Sequence, residues 1–157
     1  MKIIFLDIDG VLNNTNSMAE GVELIADKLI MLRILCEELD AYVVISSTWR
    51  KGRTVEYFQD LFQMLGFYYR GRIIGLTPTA RSSDKDFKGY DRGYEIEKWL
   101  NDRKKKNWET GSNEVIRYCV VDDDSDMLDS QLPYFVHVNR NVGLCWMYVE
   151  EIRNILK

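Results

Sequence analysis

The sequence is poor in the residues that punctuate or staple a chain. It has only two prolines in 157 residues, and no stretch is rich in Gly or Ser, so no linker or low-complexity tract is expected. There is no internal repeat. No apolar run approaches the roughly 20 residues that a membrane helix requires. Cys36, Cys119 and Cys145 are an odd and widely spaced set without a Cys-x-x-Cys pair. That spacing excludes a disulfide framework and a thiolate zinc site. None of the three is followed six residues later by arginine; the residues there are Tyr42, Ser125 and Glu151. Cysteine-based phosphatase chemistry is thereby excluded. The single histidine, His137, cannot build a histidine-rich metal site, and it falls in an apolar stretch that predicts a structural role. No Gly-x-x-x-x-Gly-Lys-Ser/Thr loop occurs, so a P-loop kinase is excluded as well. Reactive groups must come from carboxylates, hydroxyls and basic side chains.

What remains is an ordinary globular composition. Hydrophobic residues make up 46% and charged residues 29%, enough apolar surface for one domain spanning residues 1–157 and too little charge for disorder. The start, Met1 to Gly10, meets two aspartates at once and does not read as a signal peptide, so a soluble cytoplasmic protein is expected. The net charge of -4 argues against nonspecific nucleic-acid binding. Residues 46–92, however, carry nine Lys/Arg against five Asp/Glu, a basic stretch in an acidic frame.

Short apolar runs alternate with helical periodicity. Strands are predicted at Lys2–Leu6, Ala41–Ile45, Arg72–Leu76, Glu114–Val121 and Tyr134–Val138. Helices are predicted over residues 21–39, after a Thr54 N-cap as far as Leu65, over Tyr94–Asn101 and over Leu144–Leu156. Residues 13–20 read as a polar turn, and residues 77–91 as a long polar connection. Strand runs without polar alternation, joined by helices, imply an α/β, Rossmann-like three-layer sandwich around a mainly parallel five-stranded sheet. Such sheets bind ligands beyond the carboxyl ends of their strands.

Chemistry-bearing residues gather at those ends. Asp7 and Asp9 follow the first strand, with Gly10 allowing a sharp turn. Asp122, Asp123, Asp124 and Asp126 follow the fourth. A calcium loop beginning at Asp122 is excluded, because Met127 replaces its glycine and Pro133 its closing glutamate. If the two acidic strand ends converge, their mutual repulsion requires a cation such as Mg²⁺. Ser46 and Ser47 follow the second strand, with Trp49 and Arg50 close behind. Taken alone, the serines read equally well as a turn or cap, Arg50 as solvated and Trp49 as packing. Arg92 opens a helix, where the dipole disfavours a cation unless an anion lies nearby; a surface arginine is the simpler local reading.

Together these motifs resemble the haloacid dehalogenase (HAD) superfamily over almost the whole chain. Asp7-Ile8-Asp9-Gly10-Val11 is similar to its first motif, Ser46 or Ser47 to the second, Arg92 to the third and Asp122-Asp123 to the fourth, with Asp126 a further candidate. The segments Ser46–Arg50 and Arg92–Leu100 further resemble the small HAD domains associated with RNA-repair proteins. The resemblance implies a Mg²⁺-dependent phosphomonoesterase with catalytic residues Asp7, Asp9, Ser46 and Arg92. Asp7 would be the nucleophile and Asp9 the acid and base. Metal ligands would be Asp7, the carbonyl of Asp9, and Asp122 or Asp123. Ser46, Ser47, Arg50, Arg92 and Asn13 are the candidate substrate-binding residues. Only 36 residues separate Asp9 from Ser46. No separate cap domain fits there or before Arg92, so an open site for large substrates such as nucleic-acid ends is expected. Arg50, Arg53, Arg70, Arg72 and Arg81 interleave with Tyr57, Tyr68 and Tyr69 in a pattern suited to single strands. A repair-enzyme partner fits the same resemblance. A phosphatase of a small metabolite or nucleotide, a phosphotransferase and a non-hydrolytic phosphate-binding module are the other readings.

Overall fold

A computed structural model describes residues 1–79 and 91–157. Five strands form one all-parallel sheet: β1 (Lys2–Leu6), β2 (Ala41–Ile45), β3 (Ile73–Leu76), β4 (Arg117–Asp122) and β5 (Phe135–His137), in the spatial order β3-β2-β1-β4-β5. The helices are α1 (Thr15–Ala19), α2 (Ala26–Leu39), α3 (Val55–Met64), α4 (Asp91–Glu109) and α5 (Trp146–Leu156).

Side-chain alternation along the strands divides the core in two. Ile4, Leu6, Val43, Ile45, Cys119 and Val121 point into the layer shared with α2, α3 and α5. Ile3, Phe5, Val44 and Val120 point the other way, onto Ile96 and Leu100 of α4. Phe5 and Trp99 pack edge to face across that second layer, with centroids 5.4 Å apart. Among the described residues α4 is the one helix covering this face, so the three expected layers are present and the sheet is parallel throughout.

The helices depart from their sequence-predicted limits for local reasons. The pattern over 21–39 yields a helix only from Ala26. Gly21 has φ +78, and Val22 is exposed in the loop that follows, although both Val22 and Ile25 fit the helical spacing. Residues 15–19, expected as a turn, form the short α1. A reciprocal cap holds it: Ser17 N donates to Asn14 Oδ1 (2.9 Å) and Asn14 N donates to Ser17 Oγ (3.0 Å). α4 runs well past Asn101, because its second half is Lys-rich and stands clear of the sheet; Trp108 there is 83% exposed. Of the predicted connection 77–91, residues 80–90, with Arg81 and Gly89, lie outside the described residues. Among the described residues no helix is long and apolar enough to cross a membrane.

The topology fixes where a ligand can sit. From β1 the chain moves outward to β2 and β3, then returns to the far side of β1 for β4 and β5. The connections therefore diverge between β1 and β4, which opens a crevice above their carboxyl ends. Asp7 leaves β1 there and Asp122 ends β4 there.

Candidate active site

Strand parity places the first residues of the site. Asp7 and Ser46 continue the alternation of Phe5 and Val44, and Asp122 that of Val120, so all three fall on the α4 face. The backbone keeps them in register: Asp7 N donates to Val121 O (3.0 Å) and Ser46 N to Leu6 O (2.8 Å). α4 brings Arg92 to the same point. Arg92 is 8% exposed, with Nε 3.0 Å from Asp122 Oδ2 and Nη2 3.7 Å from Asp7 Oδ1. It is thus no surface arginine. Its conflict with the helix dipole is relieved by Asp126, whose Oδ2 accepts from Arg92 N (3.2 Å) and whose carbonyl accepts from Gly93 N (3.1 Å).

Asp7, Asp122 and Asp123 each offer a carboxylate oxygen, all within 4.8 Å of one another. Asp126 stays outside this cluster. Burial pushes Asp7 up from the usual carboxylate range, with Arg92 and a hydrogen bond from Ser47 opposing. Burial raises Asp122 too, and the charge of Asp7 adds to it. Asp123 is raised by burial and by Asp124, against Arg140, whose Nε lies 3.3 Å from its Oδ2. Carboxylates this close repel one another, and a cation or a proton among them would relieve the repulsion. Three hard oxygen donors without His or Cys fit Mg²⁺ and do not fit zinc. Gly10 permits this closeness. It has φ +76, and a Cβ there would collide with the Asp123 carboxylate. His137 braces the fourth-strand acids from outside, its Nε2 2.9 Å from the carbonyl of Asp123.

Several buried polar atoms close to the strand ends have no hydrogen-bond partner. Among the described residues, Ser46 Oγ, Thr77 Oγ1, Arg92 Nη1 and Asp126 Oδ1 are buried and make no hydrogen bond. Asp122 Oδ2 lacks hydrogen-bond alignment as well, although it forms the ion pair with Arg92. Each such group costs about 1–3 kcal/mol when left unsatisfied. Ser46 and Thr77 lie at the exits of β2 and β3 and Arg92 in the first turn of α4, and these three offer donors suited to a ligand rich in oxygen.

The two serines separate in role. Ser46 Oγ is unpartnered, whereas Ser47 Oγ serves Asp7 and accepts from Trp49 N at 3.3 Å. Asp9 points away from the other acids. Its Oδ1 accepts from Asn13 Nδ2 (2.9 Å) and its Oδ2 from Trp49 Nε1 (2.9 Å). Asn13, expected beside the substrate, is 1% exposed, and its amide is spent inside the chain on Asp9, Glu23 O and Gly10 N. Arg50, expected to bind substrate or be solvated, is likewise enclosed. Its donors reach Thr77 O (2.8 Å), Ser47 O (2.7 Å), Pro78 O (3.1 Å) and Glu95 (2.5 Å). It borders the cavity beside Arg92 while tying the 48–50 turn, the exit of β3 and α4 together. Trp49 and Thr77 were not anticipated at the site. No sequence signal announces either role, because Trp49 acts through its indole and Thr77 through its carbonyl, from loops whose path the neighbouring strands decide.

The expected run of arginines and tyrosines does not form one surface. Arg72 directly precedes β3 and pairs with Asp40, which directly precedes β2, so both lie at the amino ends of the strands. Arg70 pairs with Asp60, and Arg33 lies over Tyr68. Only Arg50 and Arg53 of the described arginines in this run stand near the carboxyl ends, a strand length of roughly 15 Å away.

A parallel sheet whose first and fourth strands end in facing aspartates, with a basic residue from the intervening helix between them, defines the HAD class. A model of the HAD domain in Swiss Army Knife RNA repair proteins matches residues 3–149, and the chain belongs to that family. No curated protein and no solved structure matches it.

Proposed function

We propose that this chain is a divalent-cation-dependent phosphomonoesterase that works through an aspartyl-phosphate on Asp7. The observation that carries this reading is the pairing of the Asp7–Asp122–Asp123 cluster with Arg92 and the unpartnered Ser46 Oγ on one face of the crevice. Asp7, Asp122 and Asp123 would hold Mg²⁺, with the carbonyl of Asp9 the further expected ligand. The cation would neutralise charge on the phosphoryl oxygens and keep Asp7 ionised. Ser46 and Arg92 would hold those oxygens in line with Asp7. The bond from Asp7 to phosphorus forms as the bond to the leaving oxygen breaks, and Asp9 gives that oxygen its proton. In the second half Asp9 takes a proton from water, water attacks phosphorus, and phosphate leaves Asp7. Little else is needed, because phosphoryl transfer relies on positioning and charge neutralisation.

The RNA-repair setting of the family and the open crevice support a terminal phosphate of a nucleic acid as substrate, with a repair enzyme as the working partner. The test is phosphate release from aryl phosphate, nucleotides, sugar phosphates, phosphopeptides and oligonucleotides carrying 3′- or 5′-phosphates. Each is measured with Mg²⁺ and with chelator, for the wild type and Asp7→Asn. Release that needs Mg²⁺ and vanishes in Asp7→Asn is the expected result. Release that survives Asp7→Asn would remove the nucleophile from this scheme.

A further inference from the structure

Three cavities surround the turn at residues 48–51. One lies against Arg92 and Asp126 and includes Thr48 and Lys51. Another opens between Asp9, Trp49, Met18 and Val22. The third joins them, touching Asp9, Glu23 and Trp49 on one side and Thr48, Lys51 and Arg53 on the other. The shared residues make a continuous groove. Asp9 borders its outer two parts and does not border the part beside Arg92.

Displacement at phosphorus is in line, so the leaving oxygen departs opposite the nucleophile and beside the acid that protonates it. On the hydrolase reading above, on which this inference rests, the leaving group therefore occupies the outer groove. Its walls have a particular chemistry. Met18, Val22 and Trp49 give it an apolar pocket next to Asp9, with Glu23 at the edge as an acceptor. Beyond lie two cations. Lys51 is exposed and pairs with no acid among the described residues. Arg53 is held by rings: its guanidinium lies 5.3 Å from the Trp49 ring centroid and 4.7 Å from that of Tyr57, and Nη1 donates to Trp49 O at 3.2 Å. Stacking fixes its position and leaves its charge unneutralised, since no carboxylate meets it among the described residues. A neutral alcohol would leave both charges idle. A strand whose next phosphate follows one sugar further on would use them.

We propose that the outer groove is a leaving-group subsite for a polynucleotide. The sugar beside the scissile phosphate occupies the Met18–Val22–Trp49 pocket, where Glu23 accepts a hydroxyl, and Lys51 and Arg53 bind the adjacent internucleotide phosphate. Selectivity for nucleic-acid ends then comes from charge beside the acid, with no need for a cap.

The test compares the full-length wild type with Lys51→Ala/Arg53→Ala on two substrates: a single-stranded oligonucleotide with a terminal phosphate, and an aryl phosphate with no second anion. The ratio of kcat/KM for oligonucleotide over aryl phosphate should fall at least tenfold, chiefly through KM. The slope of log KM against log salt should flatten by about 0.7 for each lost phosphate contact. Lys51→Gln alone should show a smaller change of the same kind, and it keeps the test open if the double variant does not fold. Anisotropy with the hydroxyl-ended product strand reads the subsite without turnover. Wild-type binding that the variants weaken, with no phosphate released from any substrate, would uphold the groove as a strand-binding site and sink the hydrolase reading together with the leaving-group role. Phosphate release with equal strand binding by wild type and variants would do the reverse. A wild-type preference for phosphopeptides over oligonucleotides would overturn the proposal.

Discussion

Asp9 is held at both oxygens, and one of its two holders is an indole. A hydrogen bond to a charged group is worth about 1.5–3 kcal/mol, so Trp49→Phe should lower kcat for phosphate release by roughly ten- to a hundredfold. KM for an aryl phosphate should move less than kcat, because phenylalanine keeps much of the packing, while the lost hydrogen bond should lower the melting temperature by several degrees. Steady-state kinetics beside a thermal melt would check this. The residue scale also divides what the sequence disclosed from what it hid. Asp7, the Ser46–Ser47 pair and the Asp122–Asp123 pair could be gathered in advance, because an apolar run reveals where a strand ends, but which serine faces α4 emerged only with the strand register. The bond from Trp49 to Asp9 could not, since it joins residues 40 apart through a single 3-10 turn. Asn13 and Arg50 border the cavities, but their hydrogen-bonding groups are engaged within the chain. The resemblance implied contact with a ligand, whereas loop carbonyls and the carboxylates of Asp9 and Glu95 take up their donors.

At the scale of elements, the first turn of α4 matters more than its length. Gly93 packs so tightly that a Cβ would lie 2.6 Å from Leu128 N and 2.8 Å from Gln131 Oε1. Gly93→Ala should therefore cost about 1–3 kcal/mol by overpacking. It should also cut phosphate release more than tenfold, because Arg92 is the neighbouring residue; urea unfolding and kcat/KM measured together would separate the two effects. Arg50 secures the same turn from the other side through Glu95. Arg50→Ala should destabilise by about 3–5 kcal/mol, as expected when one partner of a buried pair is removed. Arg50→Lys should recover less than half of that, since one ammonium cannot span the fork; denaturant midpoints would show it. Helix existence was readable from apolar spacing, but helix limits were not. Periodicity reports only the part of a helix that meets the sheet, so it overlooked the overhanging half of α4 and the single turn of α1. It also overran the start of α2, where Val22 matched the spacing by chance.

For the molecule as a whole, the buried acids set a dependence on pH and cations. Asp7 and Asp122 have raised values in the folded chain, so between the ordinary carboxylate value, about 4, and their raised values the folded state binds more protons than the unfolded state. Stability in chelator should then fall as pH rises across that interval. Mg²⁺ should reverse the fall, raising the melting temperature more at pH 8 than at pH 5. In Asp122→Asn both the fall and the Mg²⁺ effect should shrink. Melting curves at several pH values, with Mg²⁺ and with chelator, would check all three.

Among the described residues one helix, α4, covers this face of the sheet, and that has a consequence for damaged copies of the protein. If α4 lifts away, Phe5, Val44 and Val120 come into water in the same movement that withdraws Arg92 from Asp7 and Asp122. Loss of the site and display of a sticky surface are then one event. A copy that has lost its arginine does not linger as an inert decoy competing for ligand; it carries the apolar flag that chaperones and proteases act upon.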